Sequence, residues 1–501
     1  MQYKKHISIL LASALLLKII MACIIPLGID ESYYLLYGRY FDWHYYDHPF
    51  MTGLVLKLFT KSMAFSHPFF YRLPFVLASV LSTYIIFLTG TLLQNFRAGW
   101  YAALLFSASF YFFIIGGLFT MPDALMVLFW VMALYFAARY FFNNDESESV
   151  KGELLIWFGL ATGLAMASKI HAVLLWVGFG GFALFYQRSV FRQIYFWIAG
   201  CISLLAWLPM LIWNMQNEWV HFAFYNSRVG ADQGLRFDYF LREFIGEIFY
   251  QNPVIWVAII YFGCLKFGKT GFGKQKIFLL FFSFPLLLMI WLLSLFRETL
   301  PHWTGPAYAA LILLSSIGMS ERDVKLPAIL GWYRTAFIFL FFLLVLGLSV
   351  IHFYPGTLGE KSNSKNYGRH DFTLDMYGWK STGDSMASRI RYAGLQHIPI
   401  FTDNWFPAAQ IDEYIGRKSG NTVFGVGELN RIHQYKWINE RRGGLPDTDS
   451  ALYISVSNYP SQPENIYRDK FSNIQCIDSV AETRNGHLTR YFHLYLMTSK
   501  R

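Results

Sequence analysis

Residues 7–28 read ISILLASALLLKIIMACIIPLG and run directly into Ile29-Asp30-Glu31-Ser32-Tyr33-Tyr34. About 20 consecutive apolar residues cross the hydrocarbon core of a bilayer. This stretch reaches that length with one charge inside it, Lys18, which is read as snorkelling or pairing within a bundle and is given no further role. The basic start MQYKKH and the residues Ile20-Met21-Ala22-Cys23 resemble a signal peptide with a lipoprotein box. The apolar run continues past Cys23, and many more follow it, so an uncleaved first span is the better reading.

Outward from that first span, further apolar runs are centred near residues 83, 108, 131, 161, 180, 204, 259, 287, 311 and 341. The count is about eleven, with one or two uncertain where short hairpins are hard to divide. Composition agrees. Of 501 residues, 55% are hydrophobic and 15% charged, against about 25% charged in soluble proteins. Disordered chains are excluded as well, since they are poor in aromatics, and here aromatics make up 19%. The four cysteines, Cys23, Cys201, Cys264 and Cys476, have neither zinc nor redox spacing and read as packing residues.

Loop charge sets the topology. With Lys4 and Lys5 inside, the cytoplasmic turns carry Arg97, then Arg139 and Lys151, then Arg188 and Arg192, then KFGKTGFGKQK, then Arg322 and Lys325. Lys and Arg concentrate on the cytoplasmic side of membrane proteins. The net charge of +10 is therefore an anchoring feature, and no nucleic-acid partner is expected. An odd number of spans puts the tail outside. The chain divides at 352/353 into a membrane domain, 1–352, and a polar C-terminal domain, 353–501. The tail has alternating runs (IPIFTD, ALYISVS, YFHLYLM) and a helical pattern near AAQIDEYIG, which together predict a small α/β fold.

With sides assigned, the polar residues at span ends sort unevenly. The outer face receives Asp30 and Glu31, then the loop Trp43–Phe50 (WHYYDHPF), then Pro122-Asp123, then Lys169 and His171, then Arg297-Glu298-Thr299-Leu300-Pro301-His302-Trp303. Each element has a plain structural explanation. Pro122-Asp123 is a good helix start, His48-Pro49 suits a turn, and Tyr and Trp favour the interface. Their convergence on one face is what points to function, because ionisable groups at membrane depth are costly.

The pattern DESYY, then YYDHP, then the Pro122-Asp123-Ala124 turn, then Ser168-Lys169 and Pro301-His302-Trp303, resembles the bacterial branch of the PMT-type glycosyltransferases, the group of the aminoarabinose lipid A transferases. The likeness covers roughly the first 320 residues. Phe50 departs from it, standing where a second proline is expected, and bears on the loop path rather than the chemistry. The resemblance implies a GT-C helical bundle in the bacterial cytoplasmic (inner) membrane, with its site at the outer face. It implies a polyprenyl-phosphate-linked sugar as donor and a lipid, glycan or protein as acceptor. Asp30 is then the catalytic carboxylate, base or acceptor-orienting group, with Glu31 beside it, acting in a direct, inverting displacement.

The residue types fit such a donor. Its lipid tail needs an apolar groove among the membrane lipids, its phosphate needs cations, and the anomeric carbon needs a carboxylate nearby. A positioned base contributes about 10²–10⁴-fold, and a phosphate leaving group needs electrostatic stabilisation. Lys169, Arg297 and His302 are the candidates for that second task. Tyr46, Asp47, His48, Asp123 and Trp303 complete the substrate rim. Asp30, His48 and Asp123 are candidate ligands if a divalent cation takes part, although no spacing identifies a metal. Trp405 is a further candidate contact in the tail. Two rivals remain. A transporter or flippase would show polar residues near the midplane and related halves, and a receptor anchored by the bundle would leave the loop motifs unexplained.

Overall fold

The structure is a computed structural model and describes residues 2–143, 145–229, 234–265, 273–321 and 326–499. Of the basic turns above, residues 266–272, Arg322 and Lys325 lie outside the described residues. The chain forms two compact units. One comprises Met1–Ile24 and Asp42–Phe342, and the other Ile25–Phe41 and Leu343–Arg501. They divide inside the helix Leu326–Phe353, at 342/343, and the second unit also takes in residues 25–41.

The first unit is a membrane-type helical protein. Six of its described helices are long and apolar enough to cross a bilayer, from Lys5–Ile24 to Leu330–Phe353; the latter runs on into the second unit. The pair Phe237–Gln251 and Pro253–Gly263, bent by 96° at a short break, makes a seventh if counted as one span. Helices prevail because lipid offers no hydrogen bonds, so every backbone group must be satisfied within the segment. Small residues let the helices touch. A Cβ on Gly159 would lie 2.4 Å from the Ala199 carbonyl oxygen, so the helices Glu148–Met166 and Ile194–Leu205 pack backbone to backbone. Lys18 is buried and gives its ammonium protons to Ser79 Oγ (2.5 Å), the Phe112 carbonyl (3.3 Å) and the Gly117 carbonyl (3.4 Å).

The second unit is built on a five-stranded sheet of order β2-β1-β3-β5-β4. The strands are β1 (Ile400–Thr402), β2 (Val423–Gly425), β3 (Ser450–Val456), β4 (Asn473–Arg484) and β5 (His487–Thr498). β1 pairs in parallel with both β2 and β3, whereas β5 runs antiparallel to β3 and β4. The alternating runs of the tail fall on β1, β3 and β5. β2 is short and β4 largely polar, and neither announces itself in the sequence. Helices flank the sheet, Trp379–Tyr392 and Trp405–Ile411 among them. The helix Ile29–Arg39 belongs to this unit. Ser32 donates to Gln410 Oε1 at 3.0 Å, Arg39 pairs with Glu413 at 2.8 Å, and Tyr33 packs on Trp405 with ring centroids 4.6 Å apart. The Trp405 ring also stacks on His433 at 5.1 Å.

Candidate active site

In the helical unit, Pro122 and Asp123 open the helix Pro122–Phe142, where proline's fixed φ and a carboxylate both suit the first turn. Lys169 sits in extended backbone between the helix Glu148–Met166 and the 3₁₀ turn Ile170–Val173. Its Nζ lies 2.9 Å from both carboxylate oxygens of Asp123. The side chains are 8% and 1% exposed, so each charge removes the other's burial penalty. The Tyr111 hydroxyl donates to the same carboxylate at 3.3 Å.

The loop Trp43–Phe50 joins this turn through the backbone, Met51 N–H donating to the Ala167 carbonyl at 3.2 Å. His48 feels both Lys169 and Asp123, and Phe50 packs edge-on against Trp43 at 5.7 Å. The loop is tied down from the helix Val220–Val229. His221 Nδ1 meets the Tyr46 carbonyl at 2.8 Å, Tyr225 donates to the Asp47 carbonyl at 3.0 Å, and the Tyr46 ring packs on Phe224 at 4.7 Å. His44, fully buried, lies edge-on to the His221 ring at 4.3 Å.

His302 enters from the turn after the helix Lys274–Ser294. Gly305 lets that turn approach, since a Cβ there would fall 2.2 Å from the Tyr111 ring. Burial is the largest effect on both His302 and His48 and brings each pKa down to about 4, the nearby Lys169 ammonium acting in the same sense against the attraction of the carboxylates. Both imidazoles are therefore neutral at pH 7. His302, a candidate for stabilising the leaving phosphate, is thus uncharged at pH 7 in the structure. His171 lies two positions after Lys169, its Nε2 buried with no hydrogen-bond partner among the described residues. Arg297 is half-buried, its backbone N–H on the Leu293 carbonyl, and Trp303 packs against the hydrophobic core.

His221 and Tyr225 have no counterpart in the sequence reading, nor do Tyr111, Glu247 and Glu243. Tyr111 holds Asp123 as described. Glu247 accepts from Trp291 Nε1 at 2.9 Å and from the Tyr308 hydroxyl at 2.7 Å, and Glu243 accepts from the Thr299 hydroxyl at 2.8 Å. These two carboxylates brace the segment that bears Arg297, His302 and Trp303. Their signal was an acid pair one turn apart in the apolar stretch FLREFIGEIFYQ.

Asp30 and Glu31 belong to the other unit and differ in kind. Glu31 is 1% exposed and its Oε2 accepts from the Gly28 N–H at 3.0 Å, capping its own helix. Asp30, next along the helix, is exposed. No three of His, Cys, Asp and Glu among the described residues are placed to hold a metal ion. Of the candidate ligands, Asp123 has both carboxylate oxygens facing Lys169.

Residues 47–213 match the family model described as dolichyl-phosphate-mannose-protein mannosyltransferase. The crystal structure of ArnT from Cupriavidus metallidurans in the apo state aligns with a TM-score of 0.67 and 14% identity, covering 99% of this chain and 98% of that one. The same protein bound to undecaprenyl phosphate aligns with a TM-score of 0.67 and 14% identity, covering 98% of each chain. Comparison with curated protein sequences gives no match. The fold is that of ArnT. The family likeness covers a third of the chain, and the likeness in fold nearly all of it.

Proposed function

We propose that this enzyme moves a sugar from a polyprenyl-phosphate-linked donor to a lipid, glycan or protein acceptor at the outer face of the bacterial cytoplasmic membrane. The observation that carries the reading is the Lys169–Asp123 pair. It is a buried cation already paid for by its carboxylate, ringed by neutral imidazoles, at span ends of a GT-C bundle. The likeness to ArnT, whose structure holds undecaprenyl phosphate, supports the choice of donor.

In this reading Lys169 stabilises the charge that develops on the departing lipid phosphate, with Arg297 as a second cation. Neutral His302 and His48 bond phosphate or sugar oxygens, and Tyr46, Asp47 and Trp303 shape the rim. Asp30 orients or deprotonates the acceptor hydroxyl. Direct displacement then inverts the anomeric centre, the C–O bond to the lipid phosphate breaking as the acceptor oxygen bonds. The full topology of about eleven spans, with the N-terminus inside and residues 353–501 outside, is supported by shorter helices beside the six long ones, namely Phe96–Ala108, Glu148–Met166, Ile170–Tyr186, Pro253–Gly263 and Gly305–Ser320.

The test is transfer by the purified protein in lipid, given radiolabelled polyprenyl-phosphate sugars and an envelope extract as acceptor. Asp30→Asn should abolish transfer without loss of folded protein, and full activity in that variant removes the role given to Asp30. Movement of the sugar lipid across liposomes with no transfer overturns the proposal in favour of a transporter.

A further inference from the structure

In the second unit, β2, β1 and β3 are parallel, with β1 in the middle. The chain leaves β1 toward β2 on one side and leaves β3 toward β4 and β5 on the other. The crevice between the carboxyl ends of β1 and β3 is therefore where the connections diverge, the position at which open α/β sheets bind ligands. A cleft of about 420 Å³ lies there, lined by residues that follow both strands. That volume is within the range of small-molecule sites.

The polar groups of the cleft define what it can hold. On its floor, Asp403 is 4% exposed and accepts from the Tyr453 hydroxyl at 2.7 Å and the Ser461 hydroxyl at 3.0 Å. Asp375 is bonded by the Tyr459 hydroxyl, and burial pushes its carboxyl up to about 6, so that it donates as well as accepts across a mildly acidic range. At the rim, Arg431 gives one N–H to Asp403, and Arg369 and His370 are exposed. Phe372, 72% exposed, stands at the mouth.

A flat apolar ring beside hydroxyl-bonding carboxylates suits a pyranose, which presents a C–H face and a ring of hydroxyls. Cations at the rim suit an anionic substituent. A nucleotide is not favoured, because the turn after β1, Asp403-Asn404-Trp405-Phe406, has no glycine to admit a pyrophosphate. We infer that this cleft is a second, saccharide-binding site, and that it takes a polyhydroxylated ligand carrying an anionic group. The inference does not rest on the donor assigned above, although Asp30 acts electrostatically on Tyr459 in the cleft lining.

Calorimetric titration of the protein in nanodiscs with glucose 6-phosphate, glucose and inorganic phosphate tests the inference. Glucose 6-phosphate should bind at least tenfold more tightly than either of the others. Arg369→Gln and Phe372→Ala, both at exposed positions that do not threaten the fold, should each weaken it several-fold. Ser461→Trp, which fills the cleft, should abolish binding. Inorganic phosphate binding as tightly as the sugar phosphate would reduce the site to an anion site and overturn the inference. So would glucose binding equally well, an absence of binding by all three, or binding unaltered in the three variants.

Discussion

The ammonium of Lys169 is equidistant, at 2.9 Å, from the two carboxylate oxygens of Asp123. A buried pair of this kind contributes little beyond a hydrophobic pair, but removing one partner strands the other charge at a cost of about 3–5 kcal/mol. Asp123→Asn should therefore lower the thermal stability of the protein sharply. The double variant Asp123→Asn with Lys169→Met should recover most of that loss and remain inactive, because the cation is gone. Thermal unfolding and transfer assays on the three forms separate the two effects. Activity in the double variant would show that Lys169 has no part in catalysis.

The imidazoles beside that pair make the protein sensitive to acid. His48 and His302 each have a folded-state pKa of about 4, below the unfolded value of about 6.5. The unfolded chain thus binds more protons between these values, so stability is fully present above pH 6.5 and is lost as pH falls toward 4. The melting temperature should drop over that window. His302→Gln, which cannot charge, should make the drop shallower. The sugar-transfer rate should show no limb near pH 6.5 from either group; such a limb, removed by His302→Gln, would mean that His302 works as a cation after all.

Much of this site could be read from residues at span ends. Asp47, His48, Asp123, Lys169 and His302 stand out because charge and imidazole are rare in an apolar chain. What could not be read was who meets whom. Asp123 and Lys169 are 46 positions apart, and their pairing depends on two helices ending together. Tyr111 sits within an apolar run, where an aromatic has no periodic signature, and the Glu243/Glu247 pair, one turn apart, does not show in sequence which segment it braces. Residues 25–41 read as the end of the first span and the start of its outer loop, yet they fold with the second unit. The buried face of the helix Ile29–Arg39 is matched by partners such as Gln410, 378 positions from Ser32, a distance at which no local pattern speaks.

Adjacent residues Asp30 and Glu31 should separate cleanly on mutation. Glu31 caps the helix Ile29–Arg39 through Gly28 N–H at 3.0 Å, and losing a cap costs about 0.5–2 kcal/mol. Glu31→Ala should lower the melting temperature and leave the transfer rate per folded molecule within a few-fold of wild type. Asp30→Asn should do the reverse, since its side chain is exposed. Rates normalised to folded protein, measured beside melting temperatures, decide the matter. A thousandfold loss in folded Glu31→Ala would move the catalytic role to Glu31.

Asp375 should respond to pH in the sense opposite to the histidines. Its folded pKa is raised by burial to about 6 from an ordinary 3.8, so between those values the folded state holds the proton more tightly. Stability from this group is greatest at low pH and declines as pH rises through 6. At pH 7 the native state carries a buried carboxylate that it would rather protonate, partly offset by the Tyr459 hydroxyl. Asp375→Asn keeps an acceptor for that hydroxyl and removes the charge. It should stabilise the protein at pH 7 by about 1–2 kcal/mol, less than the full shift because the group retains some exposure, and by almost nothing at pH 4. Denaturant unfolding of wild type and variant at the two pH values measures the difference. An equal effect at both would mean that Asp375 is ionised throughout and that burial does not govern its proton.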